Sequence, residues 1–256
     1  VRLPADRELR QLSRHGPFLT AEWRHLALLN YEVDRSALAG LVPRGTELDE
    51  WQGRTYLSVV GFLFLRTRVL GLPIPFHRDF EEVNLRFYVR RKTDGGWRRG
   101  VAFVKELVPR TAVAFLARRL YNENYVAVPM EHEIKRAGAD PARIESVSYR
   151  WTLAGCRSRL ALSVASELAP LTAGSHAEFI AEHYWGYAAQ RDGGTCEYQV
   201  QHPPWLVASA HEARLDCDVS LLYGAELGRF LQGPPASAFL ADGSEVAVSH
   251  GARLDV

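Results

Sequence analysis

The stretch FEEVNLRFYV at Phe80–Val89 alternates with the two-residue period of a strand. Val83, Leu85, Phe87 and Val89 fall on one face and call for an apolar core, which gathers Glu82, Asn84, Arg86 and Tyr88 on the other. An acid, an amide, a guanidinium and a phenol in a row suit either a solvated sheet face or the wall of a polar cavity. Half-exposed antiparallel sheets commonly carry such faces, so the alternation alone leaves both readings open. The following run, Val101–Val108, sets Lys105 and Glu106 inside otherwise apolar sequence. Lysine and glutamate are rarely buried unless paired, so one of them should face a cavity or an opposite charge such as Glu82 or Arg86 across the hairpin. A desolvated lysine has a lowered pKa and could serve as a base or an imine-forming amine; a cross-strand salt bridge without catalytic duty is the plainer alternative.

Other chemistry-bearing types are dispersed. Glu182–Trp185 introduces one expected strand, and His202-Pro203-Pro204-Trp205 ends the next, with His202 held extended by the prolines as a pocket-rim residue or, preferably, a structural corner. There is no HExxH and no dense His/Cys cluster, so no metal site is expected. GxGxxG after a strand, GxxxxGK[ST] and GxSxG are also missing, and no cofactor is expected.

The elements that would position these residues are mostly strands. Phe18–Tyr31 alternates as a strand, and Asp34 is placed to cap a short helix through Ala37, Leu38 and Leu41, stopped by Pro43. Arg54–Val69 reads as a long strand with Gly61 marking a bulge or a close approach, and Leu70–Pro75 as a loop. Phe80–Lys92 and Trp97–Val108 form the clearest hairpin, with Asp94-Gly95 supplying a positive φ. Strands are expected at Ile144–Leu153, Leu160–Ala165, Tyr184–Arg191, Glu197–His202 and Ala213–Leu222. Helices are expected at Pro4–Arg14, Thr111–Tyr121, Ser175–Ile180 and Ala225–Leu231, and a second hairpin at Ala238–Ser249 around Asp242-Gly243.

Composition bounds the function classes. The 256 residues are 47% hydrophobic and 24% charged, as in an ordinary globular protein, and suit one strand-rich α+β domain over 1–256. Thirty-one basic against thirty acidic residues leave a formal charge of +1, and the basic clusters Arg90–Lys92, Arg98 and Arg99 flank a turn, where solvated charge is the ordinary explanation. Nucleic acid is not an expected partner. Three widely spaced cysteines suit reduced thiols in a cytoplasm, and no run approaches the roughly 18 apolar residues of a membrane span. The amphipathic N-terminal stretch suits packing against a partner subunit, as in a homo-oligomer.

In order and spacing, Leu41-Val42-Pro43 with Leu48-Asp49, FEEVNLRFYV, GVAFVKELVP at Gly100–Pro109, Ala117-Arg118 before Tyr125, and HPPW at His202–Trp205 together resemble the YqjF-like family (domain of unknown function 2071). That family belongs to the acetoacetate-decarboxylase-like superfamily. The resemblance spans most of the chain and implies a mostly antiparallel, closed or cone-like β barrel with peripheral helices and a site inside it. It turns the Glu82 face inward, because a closed sheet has an interior side. It also places Arg24 at the substrate-binding arginine and Glu82 at one acidic position, with the second acidic position near Ser58.

The superfamily's imine-forming lysine has no counterpart here. The segment from Tyr121 to Ala127 contains no lysine, and Tyr125 or a neighbour takes the place, so Schiff-base decarboxylation is not expected. The reading is an enzyme-like pocket for a small organic acid or carbonyl compound, with lyase-like chemistry. Arg24 would hold the anion, Glu82 and Tyr125 would exchange protons, and Arg86 and Lys105 would tune them; Asn84, Glu106 and His202 complete the candidate binding set. A non-catalytic sensor or carrier using the same cavity is the alternative, and a scaffold with a salt-bridged interior the third.

Overall fold

A computed structural model describes residues 16–75, 77–109, 111, 124–138, 140 and 142–254. The helices expected at Pro4–Arg14 and, beyond Thr111, at Thr111–Tyr121 lie outside these residues. The first strands are β1 (Leu19–Val33), β2 (Glu47–Leu48), β3 (Thr55–Val69), β4 (Leu72–Pro73), β5 (Phe80–Thr93) and β6 (Gly96–Val108). They are followed by β7 (Tyr125–Ala127), β8 (Met130–Arg136), β9 (Ile144–Leu153), β10 (Cys156–Val164) and β11 (Ala169–Pro170). The last are β12 (Trp185–Ala189), β13 (Thr195–Gln201), β14 (Leu206–Asp216), β15 (Ser237–Val248) and β16 (Ala252–Arg253). Among the described residues four short α-helices accompany them: α1 (Arg35–Leu38), α2 (His176–Ala181), α3 (Val219–Tyr223) and α4 (Ala225–Gly228).

The pairing order β13-β12-β6-β5-β3-β1-β15, with β15 returning to β13, runs in a ring. All of these pairs are antiparallel except β12 with β6. From β15 the sheet continues through β14 and β10 to β9 and β8, a second layer lying against β1, β3 and β5. The inner strands are therefore buried on both faces. Ala27, Leu29, Val59, Val83, Leu85 and Phe87 pack with Val147, Tyr149 and Leu160 of the second layer, while Leu26, Val60, Phe62, Phe64, Phe80 and Val101 pack on the opposite face. This strand-rich arrangement with few helices agrees with the expected class.

Gly61 of β3 marks a close approach. A Cβ there would lie 2.5 Å from the Tyr149 ring, and the Tyr149 hydroxyl is tied to the His25 carbonyl at 2.8 Å. The bulge expected near Gly61 is instead on β1, where Arg24 faces Leu63 and Ala27 faces Gly61, with His25 at φ 59°.

Several local expectations are corrected. Ala238–Ser249 is not a hairpin: β15 pairs with β1 continuously across Asp242-Gly243. Gly243 has φ 82°, and a Cβ there would lie 2.0 Å from the Trp23 carbonyl oxygen, so both the backbone and the space call for glycine. The strand expected at Ala213–Leu222 ends at Asp216, since Asp218 caps α3 by accepting from the Leu221 N–H at 2.9 Å. Asp34 sits at the start of α1, but its side chain makes no capping bond. In the β5–β6 turn the positive φ (114°) belongs to Gly96 rather than to Asp94-Gly95. Leu70 and Gly71, both at positive φ, fold β4 back on β3, so part of the expected loop is paired. The arginines beside the β5–β6 turn are ion-paired rather than merely solvated: Arg91 and Arg98 meet Glu197, and Arg99 meets Asp49. Among the described residues no helix is long and apolar enough to cross a membrane, and the three cysteines are free thiols.

Candidate functional site

Strand alternation and ring pairing together decide which side chains meet. In register, Phe64, Phe62, Val60 and Ser58 of β3 stand beside Phe80, Glu82, Asn84 and Arg86 of β5. Residues from all seven ring strands line a cavity of about 350 Å³. Trp23, Phe62, Phe64, Phe80, Phe103 and Trp205 give it an aromatic wall, and Glu82, Asn84, Arg86, Glu106, Tyr125 and His183 a polar one. The charged face of Phe80–Val89 is thus a cavity wall and not a solvated surface: Glu82, Asn84, Arg86 and Tyr88 are 3%, 2%, 8% and 1% exposed.

Glu82 accepts from the Asn84 amide at 2.9 Å (Oε1) and from the Tyr125 hydroxyl at 3.2 Å (Oε2). Burial lifts its carboxyl from 4.5 to about 7, against the opposing pull of Asn84, Tyr125 and the Arg86 charge. Such a group can donate or accept a proton near neutrality. Tyr125 reaches it because β7 pairs parallel with β6, setting Tyr125 beside Glu106.

Among the described residues, Arg86 is the arginine that lines the cavity. Its Nη2 reaches only the Ile180 carbonyl, at a long 3.5 Å, its buried Nε has no hydrogen-bond partner, and it forms no ion pair among the described residues. A buried guanidinium left so is unusual, since desolvating the charge is costly unless an anion meets it. Tyr88 backs this wall: its hydroxyl meets Ser58 Oγ at 2.5 Å, and Ser58 donates to Asn30 at 2.6 Å. Ser58, where the resemblance put a second acid, is therefore committed to a buried hydroxyl network.

His202 lines the cavity, stacked on Trp205 with centroids 4.1 Å apart and its Nδ1 2.9 Å from the Pro203 carbonyl. Burial lowers its pKa to about 4, so the ring is neutral at pH 7.

Two predicted residues are elsewhere. Arg24 is not among the cavity-lining residues. Trp23 takes the inward position on β1, so Arg24 shares the other face with Glu22, to which it donates at 3.2 Å, and also reaches the Gly243 carbonyl at 3.1 Å. Lys105 is also absent from the lining. A bulge at Val104 shifts the register from Arg86–Phe103 to Leu85–Lys105, which keeps Phe103 and Glu106 at the cavity and turns Lys105 away, where its Nζ donates to the Leu222 carbonyl. Of Lys105 and Glu106, Glu106 is the one that lines the cavity, as one of the expected alternatives had it, while Lys105 does not meet Glu82. The sequence has three lysines, Lys92, Lys105 and Lys135, and none lines the cavity.

The structure adds a residue that sequence reasoning missed. Ser175 caps α2 by accepting from the Glu178 N–H at 3.1 Å, and the chain leaving this helix delivers His183 to the cavity wall. His183 Nε2 lies 3.1 Å from Asp49 Oδ2, which also accepts from Arg99 Nε at 2.6 Å. Burial works to raise the Asp49 carboxyl, but the bonds from His183 and Arg99 prevail and hold it below its usual value. The two partners are 134 positions apart, and nothing in the local sequence joins them.

Comparison with known proteins agrees with this architecture. Residues 20–245 match the DUF2071 family, described as an uncharacterized conserved protein. The uncharacterized protein YqjF of Bacillus subtilis (strain 168) is 30% identical over 191 residues, 73% of this chain and 74% of that protein. Among solved structures, the acetoacetate decarboxylase of Legionella pneumophila subsp. pneumophila str. Philadelphia 1 superposes with a TM-score of 0.66 at 14% identity, covering 98% of this chain and 92% of that one. The enduracididine biosynthesis enzyme MppR, complexed with the condensation product of pyruvate and imidazole 4-carboxaldehyde, gives 0.61 at 12% identity, with 93% and 89% covered. At these identities the structural likeness concerns the fold, whereas the sequence match is decisive for the family: the chain belongs to the DUF2071 family.

Proposed function

We propose that the cavity binds a small organic acid or carbonyl compound, with Arg86 holding its carboxylate and the Glu82–Tyr125 pair exchanging a proton with it. The observation that carries this reading is the buried guanidinium of Arg86 on the cavity wall, without an ion pair among the described residues. Arginine is suited to this task because its planar fork meets a carboxylate with two parallel hydrogen bonds. The aromatic wall accommodates an apolar substituent, and excluding water strengthens the ionic contact. Glu82, poised near neutrality, is the group to add or remove a proton beside the bound acid, in a lyase-like step that uses no lysine imine. Acetoacetate and pyruvate, in the names of the similar structures, are oxo acids of the class such a site would take.

Quenching of Trp23, Trp185 and Trp205, which line the cavity, gives the test. 3-Phenylpropionate is expected to bind and 3-phenylpropanamide, equal in shape but uncharged, to bind far more weakly. Equal affinities would remove Arg86 from its role. For the proton step, 4-phenyl-2-oxobutanoate in D2O is expected to take up deuterium beside its carbonyl faster than in buffer alone. Glu82→Gln should lose that exchange while keeping affinity; binding without exchange in the native protein would mark a carrier or sensor instead.

A further inference from the structure

We infer that His183 is a hydrogen-bond acceptor of the cavity, and that the acid it meets carries a hydroxyl on the carbon next to its carboxylate. This rests on the reading of Arg86 as the carboxylate holder and goes beyond it in naming the ligand class.

The protonation pattern of the ring follows from its partner. A carboxylate can only accept hydrogen bonds, so the 3.1 Å contact of Nε2 with Asp49 Oδ2 places the ring proton on Nε2 and leaves a lone pair on Nδ1. That Nδ1 is buried and has no hydrogen-bond partner among the described residues, the His183 side chain is 1% exposed, and the residue belongs to the cavity wall. Burial lowers its pKa to about 4, with Asp49 opposing, so the acceptor persists at neutral pH. A desolvated acceptor is costly unless something in the cavity donates to it.

The ring is held firmly. Tyr88 packs on it at 4.7 Å and Phe179 meets it edge-on at 5.1 Å. Asp49 is fixed by Arg99, by Arg90 at 3.9 Å from Oδ1, and by its own N–H to the Tyr88 carbonyl at 2.9 Å. This is the arrangement of a base oriented by a carboxylate, and Asp49 is its positioning residue.

Arg86 and His183 are neighbours through two shared elements. The Arg86 guanidinium carbon lies 5.8 Å from the centre of the same Tyr88 ring, and its Nη2 contacts the carbonyl of Ile180, three residues before His183. The Arg86 charge also contributes to the depressed basicity of His183. A carboxylate on Arg86 would bring its adjoining carbon to the side of the cavity that His183 lines, and a hydroxyl on that carbon is the donor we assign to Nδ1. The aromatic wall favours an aryl or branched alkyl group on the rest of the molecule.

The matched probes are 3-phenyllactate and 3-phenylpropionate, which differ by that hydroxyl, measured by calorimetry. The native protein is expected to prefer phenyllactate by about ten-fold or more, because a site built to accept from a hydroxyl is left unpaired by the analogue lacking it. His183→Phe keeps a ring and drops the lone pair, and should bring the two affinities to within about two-fold of one another. As a readout independent of that variant folding, 15N NMR of the native protein should show His183 protonated on Nε2, with Nδ1 shifting on addition of phenyllactate and not of phenylpropionate. Equal binding of the two acids, or a protonated Nδ1 in the free protein, overturns this inference and leaves the role of Arg86 standing. Failure of both acids to bind overturns the two together.

Discussion

The Tyr125 hydroxyl donates to Oε2 of Glu82 at 3.2 Å, and these two residues come from strands on either side of β6. The bond favours the ionised carboxylate and so works against the burial that raises the Glu82 pKa. Tyr125→Phe should therefore move the Glu82 midpoint upward from about 7. Infrared or 13C NMR titration of the carboxyl reads this directly; an unchanged or lower midpoint would remove Tyr125 from the pair.

Glu82 also couples stability to pH. Its folded pKa of about 7 lies above the ordinary 4.5, so between those values the folded state binds more protons than the unfolded one. The stability contributed by the protonated carboxyl is complete below pH 4.5 and lost as pH rises through 7. Relative to Glu82→Gln, which does not titrate, the native protein should lose on the order of 3 kcal/mol across this window, by urea unfolding at several pH values. Any parallel gain from His183, whose folded pKa of about 4 lies below 6.5, is common to both proteins and cancels in the comparison.

Arg86→Met separates binding from folding. Removing a buried cation that has no ion pair among the described residues should leave stability unchanged or raise it by about 1–3 kcal/mol. The same variant should weaken 3-phenylpropionate binding by at least about 30-fold. A stability loss with undiminished affinity would make Arg86 a structural residue.

Gly61→Ala probes the contact between the layers. The added methyl meets the Tyr149 ring at 2.5 Å, and that ring is fully buried and tied to the His25 carbonyl. A cost of about 1–3 kcal/mol is expected. Gly233→Ala, with open space around it, should stay within about 0.5 kcal/mol of the native protein.

The cavity wall was legible in the sequence to the extent that local period determines it. Alternation from Phe80 to Val89 places four polar side chains on one face without error, because β5 has no bulge there. The same period applied to Leu19, Ala21 and Trp23 would have put Arg24 with Glu22 on the opposite face from the cavity; resemblance outweighed a signal that was present. Lys105 failed for a different reason: the bulge at Val104 breaks parity between Phe103 and Glu106, and nothing in an apolar run announces it. The Asp49–His183 contact depends on the segments that follow β2 and α2 meeting in three dimensions, and one sequence carries no trace of such long-range pairing. The β15 hairpin was misread because Asp242-Gly243 has turn chemistry, whereas here the glycine admits the Trp23 carbonyl.

A crystal structure of the protein with 3-(4-bromophenyl)propionate bound tests the central claim most directly, since bromine is located independently by anomalous scattering. The bromine is expected against the aromatic wall near Trp23, Phe62 and Trp205, with both carboxylate oxygens on the Arg86 guanidinium. Bromine outside the ring of strands at saturating ligand, or a carboxylate turned away from Arg86, would contradict it.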